Sequence, residues 1–176
     1  MAISFDTNHK PVIGEAEQLE YDLVVITADN ASPMTFTGTR TYVLGTENLI
    51  IIDPGPDSAT HLSSIMKYIG KRKVTHILLT HSHNDHSPLS RQLKTETGAR
   101  IIGFGSADEA RTSFMKKLSS SLDLGGEEGI DTDLVLDKKV YEKQILNLNN
   151  YSIEVVHTPG HLSNHICFSL KERKIL

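Results

Sequence analysis

Sulfur chemistry is nearly absent from this chain. It has one cysteine, Cys167, in 176 residues. No disulfide can close within it, and a reducing compartment such as the cytoplasm is the expected setting. Cys167 lies inside an apolar run, where a thiol packs as a small hydrophobe rather than acting as a nucleophile. The N-terminal residues hold no continuous apolar stretch of the kind that opens a secretory leader, and none is expected. Nor does any stretch approach the roughly 20 apolar residues that a membrane-spanning helix requires, so no membrane partner is expected. Positive charge is not in excess either. The net charge of −4 argues against a nucleic acid captured by phosphate electrostatics alone. The densest basic run, Lys71-Arg72-Lys73, reads as a solvated helix end whose cations face the C-terminal dipole. No repeat recurs at a fixed period, and no linker-like segment divides the chain.

What is present has ordinary globular composition, 38% hydrophobic and 23% charged, and enough length for one domain with its own core. The first 20 residues are mixed and polar. They read as an irregular arm, so that an N-terminal arm covers residues 1–21 and the domain residues 22–176. Leu23-Val24-Val25-Ile26 is a β-branched run and reads as a strand. Thr41–Leu44 and Leu49–Ile52 read as an antiparallel hairpin across a four-residue connection. In the loop before it, Met34 and Phe36 are expected to pack down onto the sheet. Leu62, Ile65, Met66 and Ile69 follow helical spacing, with a cap at Asp57 or Ser58 and a stop at Gly70.

Val74–Leu79 is nearly continuously apolar, as a strand covered on both faces should be. A helix is expected from Pro88, capped by Ser87, to about Thr97. Arg100–Phe104 follows as a strand parallel to its predecessor. Ala107–Leu118 reads as a helix and Ser119–Asp133 as a loop. Strands are then expected at Leu134–Leu136, Val140–Tyr141, Tyr151–His157 and Ile166–Leu170, and Ile175–Leu176 opens another. The alternation of these patterns predicts an α/β fold.

The densest chemistry lies at Thr80-His81-Ser82-His83-Asn84-Asp85-His86. Four groups able to bind a metal, His81, His83, Asp85 and His86, fall within six residues, on a loop leaving the carboxyl end of a buried strand. In an extended segment His81 and His83 point the same way. Asp85 and His86 follow the bend and can face a neighbouring position. Two adjacent sites on one loop are therefore expected, His81 and His83 serving one, Asp85 and His86 the other. His161 follows the tight Thr158-Pro159-Gly160 turn, which suits it to complete the first site. His76, His157 and His165 are read as structural or supporting groups, and His9 and His61 as solvent-facing.

The His81-x-His83-x-Asp85-His86 cluster after a buried strand, followed by Thr158-Pro159-Gly160-His161, resembles the metallo-β-lactamase superfamily. Gly38–Leu44 and Ile52-Asp53-Pro54-Gly55 are similar to its opening hairpin and aspartate-containing turn. The resemblance implies an αββα sandwich with one or two metal ions, usually zinc, with iron or manganese as alternatives. It also implies hydrolysis of an ester, thioester, lactam or phosphodiester by a metal-bound hydroxide. Position for position, His81, His83 and His161 would hold the first metal and Asp85 and His86 the second, with Asp53 steadying the site. Asp85 would also orient the nucleophile or accept a proton. A small-molecule substrate is implied, with RNA as the alternative. The turn around His161 is most similar to the glyoxalase-II-related and lactamase-beta-like branch, departing from the glyoxalase pattern at Asn164, where glycine is usual.

The family places a bridging aspartate and a further histidine beyond the strand opened by Ile175-Leu176, and the chain stops short of both. The second half of the sandwich is therefore expected to be incomplete, as in a C-terminally truncated form. Its unpaired sheet edge is open to oligomer formation. The alternative function is a non-catalytic or weakly active single-metal binder.

Overall fold

Along the central strands, successive apolar side chains point to opposite faces, and two cores result. A computed structural model describes residues 8–107, 113, 129–170 and 173. Seven strands lie side by side in chain order: β1 (Ala16–Glu20), β2 (Leu23–Thr27), β3 (Arg40–Leu44), β4 (Asn48–Ile52), β5 (Lys73–Leu78), β6 (Arg100–Gly103) and β7 (Lys138–Lys139). Neighbours are antiparallel from β1 to β4 and parallel from β4 to β7. Parallel pairs need crossover segments. Helices α1 (Ala59–Ile69) and α2 (Leu89–Thr97) supply the first two. A second, antiparallel sheet contains β8 (Ile145–Leu148), β9 (Tyr151–His157) and β10 (Ile166–Ser169), in the order β10-β9-β8.

One face of the large sheet meets the helices. Ile51, Ile77 and Ile101 pack there against Ile65 and Ile69 of α1 and Leu89 and Leu93 of α2. The other face meets the small sheet, where Ile50, Leu78 and Ile102 join Ile153, Val155, Ile166 and Phe168. This explains the continuous apolar run of β5: Ile77 and Leu78 are both fully buried, on opposite faces. Among the described residues the layers are thus helices, sheet, sheet. No helix of the described residues is long and apolar enough to cross a membrane.

Several expectations change. Residues 16–20 are not irregular: they form β1, paired with β2. Four of its five residues are exposed, so the strand is held by backbone pairing and left no apolar signature. Leu134–Leu136 is not a strand, although Leu134 and Leu136 pack against the helix-side core. The ladder instead starts at Lys138, while Val140 follows it with its N–H bonded to the Gly103 carbonyl. β8 went unread; its signal was the Asn149-Asn150 turn joining it to β9, with Asn149 at φ 52°. Met34 and Phe36 do not pack down; both are 63% exposed. The polar side chains claim the inside of that loop: Ser32 Oγ accepts from the Met34 and Thr35 N–H groups, and Thr35 donates to the Asn30 carbonyl. His61 is buried rather than solvent-facing, because it shares the face of α1 that carries Ile65 and Ile69. Most of the predicted 107–118 helix, much of the 119–133 loop and Ile175-Leu176 lie outside the described residues.

The two sheets are also joined by polar contact. Tyr151 Oη donates to Asp22 Oδ2 at 2.7 Å, and Arg173 donates to the same oxygen at 3.0 Å. Burial alone would raise the Asp22 pKa, but these donors hold it below its ordinary value. A depressed folded pKa stabilises the native state above the unfolded value, near 3.9, and that contribution fades as pH falls through the folded value. Tyr151→Phe should therefore cost about 1.5–3 kcal/mol at neutral pH, the range for a hydrogen bond to a charged group. The deficit should shrink below about pH 4, as read by urea denaturation across pH.

Candidate metal centre

Three segments converge at the carboxyl ends of the strands: the turn after β4, the loop after β5 and the turn between β9 and β10. The first turn is tight. Asp53 has φ 48° and Gly55 φ 100°, and Gly55 is seated between the His86 carbonyl and the Leu89 N–H. A Cβ at Gly55 would meet the His61 ring at 3.0 Å, so a positive φ and a close neighbour both require glycine there. The third segment is tied to the second by the Ile166 N–H, which donates to the Thr80 carbonyl at 2.9 Å.

Asp53 organises the loop that follows β5. Its Oδ1 accepts the Thr80 backbone N–H at 2.8 Å and its Oδ2 accepts the Thr80 hydroxyl at 2.6 Å. Thr80 has one hydroxyl proton, and Asp53 takes it. The Thr80 oxygen, 2.8 Å from His81 Nδ1, must then accept a proton from that nitrogen. The tautomer of His81 is thereby fixed, with its Nε2 lone pair turned outward. That nitrogen lies 3.1 Å from His83 Nδ1, which is itself 3.0 Å from His161 Nε2. Burial lowers the His81 pKa to about 3, with the charge on His86 adding to the effect. The ring is neutral at physiological pH. His83 Nδ1 faces two ring nitrogens with at most one proton to share, so the trio is not self-satisfying; a cation between the rings would satisfy it.

His86 is in the opposite state. Its Nδ1 is 2.9 Å from Asp53 Oδ2 and its Nε2 is 3.2 Å from Asp85 Oδ2. Burial opposes a charge on the ring, but the flanking carboxylates outweigh it and lift the pKa to about 10. Asp85 is held far below the usual carboxylate range: burial works against its charge, and the His86 and Thr39 hydrogen bonds overcome it. Thr39 donates to Asp85 Oδ2 at 2.7 Å. Asp85 Oδ1 is buried with no hydrogen-bond partner among the described residues, so an ionised carboxylate turns a bare oxygen into the protein. Two groups of potential metal ligands result: His81, His83 and His161, and Asp53, His81 and His86. Every residue expected from the sequence reaches this centre. The difference is Asp53, which stands in the second group, while Asp85 stands beside it.

Residues 34–176 match the family described as the Metallo-beta-lactamase superfamily. The chain belongs to this superfamily. It is 33% identical over 129 residues to the hydroxyacylglutathione hydrolase GloC of Haemophilus influenzae, covering 73% of this chain and 58% of that protein. It is 30% identical over 167 residues to an atrochrysone carboxyl ACP thioesterase of Passalora fulva, covering 92% and 42%. The chain thus spans about half the length of the curated relatives it matches. A class B3 di-zinc metallo-beta-lactamase from an Alaskan soil metagenome shares the fold, with a TM-score of 0.64 at 21% identity over 96% of this chain and 60% of that one.

Within this metallo-beta-lactamase fold, some supporting residues were not legible in the sequence. Thr80 was, in principle, because it directly precedes His81. Thr39 gave no signal, since it reaches Asp85 only through the pairing of β2 and β3 and through Asn30, whose amide bonds both its N–H and its hydroxyl. Ser87, expected as the cap of α2, instead donates its hydroxyl proton to Asp131 Oδ2 at 2.8 Å. Asp131 is the stronger attractor, being a buried carboxylate that also accepts twice from Arg91.

The charge assignment at His86 is measurable without any ion. In the metal-free chain its ring should titrate well above the ordinary histidine value. Asp53→Asn, which removes the nearest negative charge, should lower that pKa by about 1–3 pH units. Imidazole-resolved NMR across pH reads both; a wild-type ring titrating near 6.5 would contradict the assignment.

Proposed function

We propose that this chain carries the metal site of a hydrolase that cleaves thioesters or closely related acyl compounds. The observation carrying the reading is the convergence of His81, His83 and His161 beside an ionised Asp85. Three imidazoles with a neighbouring carboxylate suit zinc best, with iron or manganese also compatible with nitrogen and oxygen donors. His81, His83 and His161 would hold one ion. Asp85, His86 and Asp53 surround the place for a second. A bound divalent ion supplies Lewis acidity and lowers the pKa of water towards about 7.

The rest of the chemistry belongs to the chain. Thr80 holds His81 in the tautomer that presents Nε2. Thr39 and His86 hold Asp85 through Oδ2 and keep its carboxylate ionised beside the three histidines, where it would stabilise positive charge or accept a proton. The exposed ring of His161 marks the open side of the site, where an acyl substrate would arrive. The relatives support the substrate class, since one is named a thioesterase and another a hydroxyacylglutathione hydrolase. The single, half-exposed Cys167 needs no oxidising compartment, consistent with a cytoplasmic setting.

A second reading, a single-metal binder without turnover, draws on His86, whose ring nitrogens both face carboxylates rather than open space. Metal stoichiometry and a panel of thioesters, lactones, lactams and RNA separate the two. The hydrolase reading expects thioester turnover that depends on bound metal. His83→Ala should lower metal affinity and turnover by more than the roughly 10–100-fold that loss of a merely supporting residue costs. Unchanged metal content and turnover in that variant would sink the proposal, and one tightly bound ion with no turnover would favour the second reading.

A further inference from the structure

His161 is the exposed member of the three-histidine group, whereas His81 and His83 are each 4% exposed. The His161 ring lies edge-on to the His81 and His83 rings, with its other side open. The rest of its placement comes from the backbone that carries it, the turn between β9 and β10. That turn is closed on itself by the Thr158 N–H to the His165 carbonyl and the His165 N–H to the Leu162 carbonyl. These bonds shape the turn, and the Ile166 N–H to the Thr80 carbonyl holds its far end beside the loop, but none of them reaches the stretch between His81 and His83.

Asn164 does. It is 2% exposed and sits three residues after His161. Its Nδ2 group forks. One bond goes to Ser82 Oγ at 3.0 Å, and Ser82 is the residue between His81 and His83. The other goes to the Gly105 carbonyl at 2.7 Å, just beyond the end of β6. The acceptor oxygen of the same amide is buried with no hydrogen-bond partner among the described residues. A side chain kept only to fill the core would not bury an unpaired oxygen there. The amide is retained for its two donors, and those donors join the segments that carry the ring nitrogens.

We propose that Asn164 is a positioning residue, the buried fork that sets His161 against His81 and His83 and so fixes the geometry of the three-nitrogen group. This rests on the metal reading above. Zinc affinity of the full chain, by chelator competition, and the absorption bands of its cobalt-substituted form test it. Asn164→Ala should weaken zinc binding by roughly 10–100-fold, as for other groups that orient ligands, and should shift the cobalt bands. Asn164→Leu, similar in size but without the donors, should do the same. Ser82→Ala should cause a smaller loss, and Ser82→Ala combined with Asn164→Ala should bind no worse than Asn164→Ala alone, because the two share one contact.

A folded Asn164→Ala with wild-type affinity and cobalt bands would overturn the inference. So would a variant whose metal-free form melts earlier while its cobalt bands stay unchanged, which marks a general structural role. Should Asn164→Ala fail to fold, Ser82→Ala decides: unchanged affinity and bands overturn the inference, and a loss with shifted bands supports it. A wild-type chain that takes up no zinc overturns the metal reading and this inference together, whereas equal uptake by wild type and Asn164→Ala overturns this inference alone.

Discussion

The two hydrogen bonds that Thr80 gives to Asp53 are the contact on which the rest of the centre depends. They join the turn after β4 to the loop after β5, two neighbouring parallel strands whose ends would otherwise diverge. They consume the only hydroxyl proton of Thr80, and so decide which nitrogen of His81 is protonated. They leave Asp53 Oδ2 close enough to His86 to hold that ring charged. One buried carboxylate thus sets backbone position, tautomer and charge together. Burial is the reason it can: in a poorly screened interior a hydrogen-bonded carboxylate dominates its neighbours.

The electrostatic result is a centre divided into two halves. His81 is kept neutral by burial and by the positive charge nearby. His86 is kept charged by two carboxylates, and Asp85 is kept ionised by His86 and Thr39. The half built on His81 brings two ring nitrogens within about hydrogen-bonding distance of a third. The charged half leaves a bare carboxylate oxygen in the interior. Both features are costly in an isolated protein. Both are relieved by cations, which is the physical sense in which the arrangement anticipates metal. The fold tolerates them because the strands underneath are anchored on both faces, by the helices on one side and the small sheet on the other.

Much of this was legible in the sequence. The buried run before Thr80, the alternation of His81 and His83 and the turn before His161 placed the ligand candidates. The helical spacing of α1 was equally plain, yet His61 was misread because histidine at a core position looks polar in sequence. β1 was missed because an edge strand held by backbone pairing carries no hydrophobic pattern. Ser87 was misassigned as a cap because local chemistry favours that role, and only the approach of Asp131, 44 positions later, outbids it. In each case a partner distant in the chain overrode the local preference.

The sequence by itself determined where most of the donor candidates lie: histidines and an aspartate too closely spaced for an ordinary loop, on the end of a strand apolar enough to be buried on both sides. Spacing and periodicity are local properties, and they survive translation into structure. Only the tertiary structure decided that Asp53 reaches the centre directly, that the distant Thr39 joins His86 in holding Asp85, and that Asn164 bridges the two ligand-bearing segments. Those choices depend on which strand ends become neighbours and at what register, and hydrogen bonds between segments tens of residues apart leave no periodic trace in either one.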